Sequence, residues 1–163
     1  RQLVTVFEKE EVTLDEPYII ENQNFNQTEI KFNSNATKPI QVEFSNNKNE
    51  FLIFEFDPAN KKMLIDRRKS GMTDFEERFA DIIHALPYDV TDKEVDVRII
   101  VDWSSIEIFI DNGKYVMTDQ IFPTEFFNTL KISSKEKGLV KNFKLSKVKS
   151  IWRESENQEY ISK

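Results

Sequence analysis

Between Val95 and Ile110 apolar residues fall at every second position: Val95, Val97, Ile99 and Val101, then Ile106, Ile108 and Ile110. A period of two marks β-strands with one dry face. Asn112-Gly113 closes the second run, and a type I′ turn needs the positive φ that this pair tolerates. A loop there sets Asp111 opposite Lys114, Phe109 opposite Val116 and Glu107 opposite Thr118. A second turn at Trp103-Ser104 pairs Val101 with Ile106 and Ile99 with Ile108. A slip by one residue would carry one strand's apolar set to the other face. The predicted strands thus share a dry face of Val, Ile and Met117. Their other face is mixed, with Arg98, Asp102, Ser105, Glu107, Phe109 and Thr118.

The same pattern recurs in short pieces elsewhere. Strands are expected at Leu3–Phe7, ending in the solvated acidic run Glu8–Glu11, and at Tyr18–Ile20, Gln27–Phe32 and Ile40–Phe44. Further strands are expected at Phe51–Phe56, Met63–Ile65, Leu130–Ser133, Leu139–Leu145 and Val148–Trp152, with Trp152 closing the core. Clusters of Asn, Ser, Asp and Pro separate them as turns. Short strands at regular spacing point to an all-β sandwich or barrel. One stretch breaks the pattern. Thr73 and Glu76 form a capping-box pair, and Phe75, Phe79, Ile82 and Ile83 stand at helical spacing, which predicts a short helix before Pro87.

Composition narrows the picture. The chain has 163 residues, enough for one domain that buries roughly 70% of its unfolded surface. There is no internal repeat and no linker composition. Fourteen phenylalanines suit a thick sandwich core, and only three glycines leave no Gly-rich phosphate loop. A net charge of −6 argues against nucleic acid and anionic membrane as general partners. The absence of cysteine removes disulfides and thiolate metal sites. No apolar run approaches the ~18 residues of a membrane span. No cofactor is expected. Because Arg1 rather than Met opens the chain, a processed product or a piece of something longer is expected.

Two motifs carry a resemblance. Asp102-Trp103-Ser104-Ser105-Ile106-Glu107-Ile108-Phe109, followed by Asn112-Gly113, Met117-Thr118 and Ile121-Phe122-Pro123, resembles the C-terminal module of glycoside hydrolase family 32. Those enzymes are the levanases, inulinases and invertases. Upstream, Asp66-Arg67-Arg68-Lys69-Ser70-Gly71 resembles the same module's Asp-Arg…Ser-Gly segment. The resemblance covers residues 1–152 and leaves 153–163 as a polar tail. It implies a two-sheet antiparallel β-sandwich of the concanavalin/jelly-roll type, with Phe75–Ala85 extended rather than helical. It also implies an N-terminal five-bladed propeller as partner domain, fructan or fructo-oligosaccharide as possible ligand, and an extracellular or periplasmic setting. In that family the catalytic nucleophile, acid/base and transition-state stabiliser all lie in the propeller. This chain lacks the Trp-x-Asn-Asp-Pro, Arg-Asp-Pro and Glu-Cys segments that hold them. The segment is therefore expected to be catalytically silent within a fructan-hydrolysing parent.

Six residues are candidates for ligand binding. Arg98, Asp102, Glu107 and Phe109 offer carboxylates, a guanidinium and a ring, the chemistry a sugar site uses. The competing reading has Arg98 and Glu107 form a cross-strand charge pair or an interdomain contact, worth little when exposed. Arg67 and Ser70, with Asp66, either join the site from a loop or hold a turn by Asx-type hydrogen bonds. His84 is the only histidine and reads as structural. Trp103 at a turn tip either stacks on a sugar or packs against a neighbouring domain, with the interface favoured.

Overall fold

The computed structural model describes residues 2–72, 83–89 and 93–149. Twelve strands form two six-stranded sheets. The first sheet has the order β1-β12-β3-β8-β9-β10, from β1 (Gln2–Thr13), β3 (Thr28–Asn35), β8 (Glu94–Val101), β9 (Ser105–Ile110), β10 (Tyr115–Gln120) and β12 (Leu139–Lys149). The second has the order β2-β11-β4-β5-β6-β7, from β2 (Tyr18–Ile20), β4 (Ile40–Ser45), β5 (Phe51–Asp57), β6 (Lys62–Asp66), β7 (His84–Pro87) and β11 (Thr129–Ser133). Every pairing is antiparallel, and the described residues contain no helix.

The period-two pattern produces the core. Along β4, β5, β8 and β9 buried and half-buried residues alternate, because successive side chains point to opposite faces. The dry face of β8–β10 meets the dry face of β4–β6, and seven phenylalanines fill the space: Phe25, Phe32, Phe44, Phe54, Phe56, Phe127 and Phe143. Two are coupled edge-to-face, Phe25 with Phe44 at 5.9 Å between centroids, a geometry that aromatic quadrupoles prefer.

The predicted β8–β9–β10 register holds throughout. Val101 faces Ile106, Ile99 faces Ile108, Phe109 faces Val116 and Glu107 faces Thr118. Asn112 (φ 55°) and Gly113 (φ 83°) take the positive φ their turn requires, and Asp111 joins them at 56°.

Three expectations change. β1 does not stop at Phe7 but runs on to Thr13, taking the acidic run into the sheet. Glu8 and Glu11 stand opposite Lys144 and Lys141 of β12, so opposite charges face each other along the pairing. Leu139–Lys149 is one strand with a bulge between Lys141 and Lys144, where Asn142 takes φ 54°. Of the expected helix, His84–Pro87 is instead strand β7, paired with β6. Residues 73–82, with the capping-box pair, and Trp152 lie outside the described residues.

The free edges β7 and β10 meet across the side of the sandwich. His84 Nδ1 lies 3.0 Å from Asp119 Oδ1, and the Tyr115 hydroxyl bonds both the N–H and the carbonyl of Asp89. The lone histidine thus joins the two sheets.

Candidate functional site

The candidate residues fall in two places: the outer face of the first sheet, and one end of the sandwich.

On the outer face, Arg98 stands opposite Lys31 of β3 and Phe109 of β9. Its guanidinium lies 5.3 Å above the Phe109 ring. Nε and Nη2 both donate to Glu29 Oε2, at 3.1 and 2.9 Å, and Lys31 Nζ approaches the other oxygen at 3.5 Å. The Glu29 side chain is only 5% exposed. A carboxylate so shielded requires compensating charge, and two cations supply it. The expected Arg98–Glu107 pair does not form. Arg98 is diagonal to Glu29 on one neighbouring strand and to Glu107 on the other, both of which face Ile100. It takes the buried carboxylate, where losing a partner would cost most.

Beside this network runs a groove of about 540 Å³ whose polar lining includes Lys31, Asn33, Asp96, Arg98 and Asn142, with Phe109 as its ring. Both Asp96 carboxylate oxygens accept from the Asn112 N–H at 3.0 Å, which fixes the hairpin tip at the groove's rim. The left-handed bulge residue Asn142 donates to Asn33 Oδ1 at 3.4 Å. Bulges re-aim side chains in this manner. Amide donors and acceptors, a guanidinium and an aromatic ring make a surface able to bind a neutral polyhydroxylated chain.

At the end of the sandwich five connections gather, as far as described: 21–27, 46–50, 67–72, 102–104 and 121–128. Arg67, Ser70 and Asp102 belong here. Ser70 Oγ and its N–H both donate to Arg67 O, closing a tight turn, and Arg67 Nη1 donates to Gln120 O at 2.8 Å. Asp66 accepts from Arg68 Nε and Nη2 at 3.0 and 2.9 Å. That hydrogen bond holds the Asp66 carboxyl below its ordinary range, against the opposing effect of burial. Gly71 (φ 149°) lies so close to the next segment that a Cβ would stand 2.1 Å from Phe122 O. Asp102 Oδ1 caps its own turn by accepting from Trp103 N–H at 2.8 Å.

Two asparagines tie the 121–128 connection down. Asn26, 3% exposed, accepts from Phe127 N–H at 2.9 Å and donates to Asp102 O at 3.3 Å. Asn46 donates to Glu125 O and to Glu50 Oε1, which in turn accepts from Thr124 N–H and Oγ1, both at 2.9 Å.

The six candidates are therefore not one constellation. Arg67, Ser70 and Asp102 serve the loop end, whereas Arg98, Glu107 and Phe109 lie on the sheet face. Sequence reasoning missed Glu29, Asp96, Asn33 and Asn142 at the groove, and Asn26, Asn46 and Glu50 at the loop end. Outward placement of Glu29, Lys31 and Asn33 follows from the alternation of β3 and was open to detection. The partners of Asn26, up to 101 residues away in sequence, had no local signal.

Two face-packed antiparallel sheets with a ring-and-guanidinium outer face and a loop platform define an all-β sandwich. The chain belongs to glycoside hydrolase family 32, matching "Glycosyl hydrolases family 32 C terminal" over residues 2–150. In enzymes of this family the catalytic domain lies N-terminal to the module. Among curated relatives, a levanase of Bacillus sp. (strain L7) is 38% identical over 62% of this chain and 11% of its own length. A levanase of Bacillus subtilis (strain 168) is 29% identical over 76% of this chain and 18% of its own. The chain thus spans under a fifth of those relatives. Relatives also include a protein named extracellular exo-inulinase, from Aspergillus niger. Exo-inulinase from Aspergillus awamori shares the fold with a TM-score of 0.71 at 20% identity, over 91% of this chain and 29% of that one. A fructofuranosidase variant from Schwanniomyces occidentalis does so with 0.74 at 15% identity, over 88% and 33%.

Proposed function

We propose that this chain is the non-catalytic accessory sandwich of a secreted or periplasmic β-fructosidase of levanase type, where it buttresses the catalytic propeller. The observation that carries this reading is the family match together with a sequence that lacks every catalytic segment of the family. Retaining glycoside hydrolysis needs two carboxyl groups held about 5–5.5 Å apart across the scissile bond. Several carboxylates here already have partners: Glu29 is paired with Arg98 and Lys31, Asp66 with Arg68, and Asp96 and Asp102 each hold a turn. Side assays on levan, inulin and sucrose compare the isolated chain with the full-length parent. Turnover by the parent alone is expected; comparable turnover by the isolated chain overturns the reading.

A second reading draws on the groove. Its aromatic and amide lining, with Arg98 and Phe109 among its residues, supports fructan capture by the module itself. Calorimetry with fructo-oligosaccharides distinguishes them. Millimolar or tighter binding that is lost in Phe109→Ala, with the fold intact, favours capture; absence of heat leaves the buttress alone.

A further inference from the structure

We infer that the loop end carrying Trp103, Met72 and Phe126 is the surface that docks on the family's N-terminal catalytic domain. This rests on the accessory reading above and adds to it the site of contact.

The described residues expose eight large apolar side chains, and three of them sit on connections rather than strands: Met72, Trp103 and Phe126, at 56%, 48% and 42%. All three are at this end. They are also tied to one another. Met72 N–H donates to Phe122 O at 2.9 Å, Ile121 N–H donates to Ser104 O at 3.0 Å, and Phe126 lies in the same 121–128 connection. An exposed apolar group costs little singly, but several on one rigid platform mark a partner site.

The platform is built rather than left loose. Asn26, Asn46, Glu50 and Arg67 all bond the segment from Gln120 to Phe127, and both asparagines are buried. Order fixed in advance lowers the entropy cost of docking. Around the apolar trio stand Lys48 and Glu125, paired at 3.9 Å, and Arg68 with Asp66. An apolar centre with a polar rim is the usual anatomy of an interface.

The occupant follows from chain continuity. β1 starts at this end: Gln2 pairs with Lys149, and the adjoining Val148 N–H donates to Gln27 O of the 21–27 connection. A domain that precedes the module therefore joins it here, and Leu3, 47% exposed, extends the apolar surface toward that junction. The opposite end offers nothing comparable. Its connections, as far as described, expose no large apolar side chain.

Amine-reactive cross-linking of the full-length enzyme, read by mass spectrometry, tests this. Lys48 and Lys69 report on the loop end; Lys61, Lys114 and Lys137 report on the other. Links from Lys48 and Lys69 to the catalytic domain are expected, with none from the other three. The double variant Trp103→Ser, Phe126→Ser should reduce those links by roughly tenfold or more, since aromatic anchors dominate interfaces. Near-ultraviolet circular dichroism checks that the sandwich still folds. Links from Lys61, Lys114 or Lys137 instead would overturn the docking surface while sparing the accessory role. Absence of any interdomain link, with melting and turnover unchanged when the module is removed, would overturn both.

Discussion

The two ends of this sandwich are built by different means. At the Asn112 end, connections are short and close on themselves. Lys61 N–H bonds Pro58 O, Lys114 N–H bonds Asp111 O, Asn60 bonds Asp57, and Lys61, Asp111, Asn112 and Lys137 supply left-handed turns. At the Trp103 end, connections are held by side chains far away in sequence. Asn26 reaches Phe127 and Asp102, Asn46 reaches Glu125, and Arg67 reaches Gln120. The first end relies on its own turns with a few added ties, such as Asp96 to Asn112 and Tyr115 to Asp89. The second spends buried amides on rigidity and still leaves Trp103, Met72 and Phe126 half in water. A fold that invests order in an apolar surface has prepared that surface for a partner.

The sharpest way to break this contrast uses glycine. Gly71→Ala puts a Cβ 2.1 Å from Phe122 O, which is backbone and has no rotamer to yield. We expect a loss of about 3 kcal/mol or more, read from the denaturant midpoint at unchanged slope. Gly113→Ala at the other end meets nothing within 4 Å and carries only the cost of its positive φ, about 1–2 kcal/mol. Equal losses at the two positions would remove the distinction.

Asparagine repeats the comparison on a smaller scale. Asn26→Ala strands the buried Phe127 N–H and should cost about 1–3 kcal/mol. Asn60→Ala, in an exposed turn, should stay within about 0.5 kcal/mol.

Tyr88, beside the Asn112 end, sets a pH limit. Its ring stacks on Phe56 at 4.6 Å, and its buried hydroxyl has no hydrogen-bond partner among the described residues. Burial first, then the charge of Asp57, push its pKa well above the ordinary phenol value. The folded phenol stays protonated while the unfolded one ionises near 10, so stability is full below about pH 10 and falls as pH rises beyond it. Tyr88→Phe should flatten that alkaline slope in urea titrations. An unchanged slope would assign the alkaline loss to other groups.

Asp66 gives the smallest effect, with the opposite sign. Its depressed pKa adds stability above the unfolded value of about 3.9, lost as pH falls through the lower folded value. Because Arg68 is half exposed, Asp66→Asn should cost no more than about 1 kcal/mol at neutral pH.

Much of this was legible in the sequence, for a physical reason. Where one face of a strand is buried, register is over-determined, so Val95–Val101, Ile106–Ile110 and their turns could be placed residue by residue. The paired motifs carried the family, whose match now spans residues 2–150. Charge was misleading. Ending the strand at Phe7 followed from the acidic run, yet β1 continues through Glu8–Glu11, which stay exposed as expected while facing lysines of β12. Arg98 had two diagonal carboxylates, and only burial, absent from a sequence, decided for Glu29. Arg67, Ser70 and Asp102 read as potential ligand groups because turn-holding and ligand-binding use the same atoms. The three-dimensional convergence of five connections was what separated them.

The central claim is that the Trp103 end is covered in the whole enzyme. Hydroxyl-radical footprinting of the full-length protein against the isolated module tests it most directly, with Val116 as the internal control because its exposure of 47% matches the 48% of Trp103. Trp103 and Met72 are expected to oxidise far more slowly in the full-length enzyme while Val116 is unchanged. Equal oxidation of Trp103 in the two forms would contradict it.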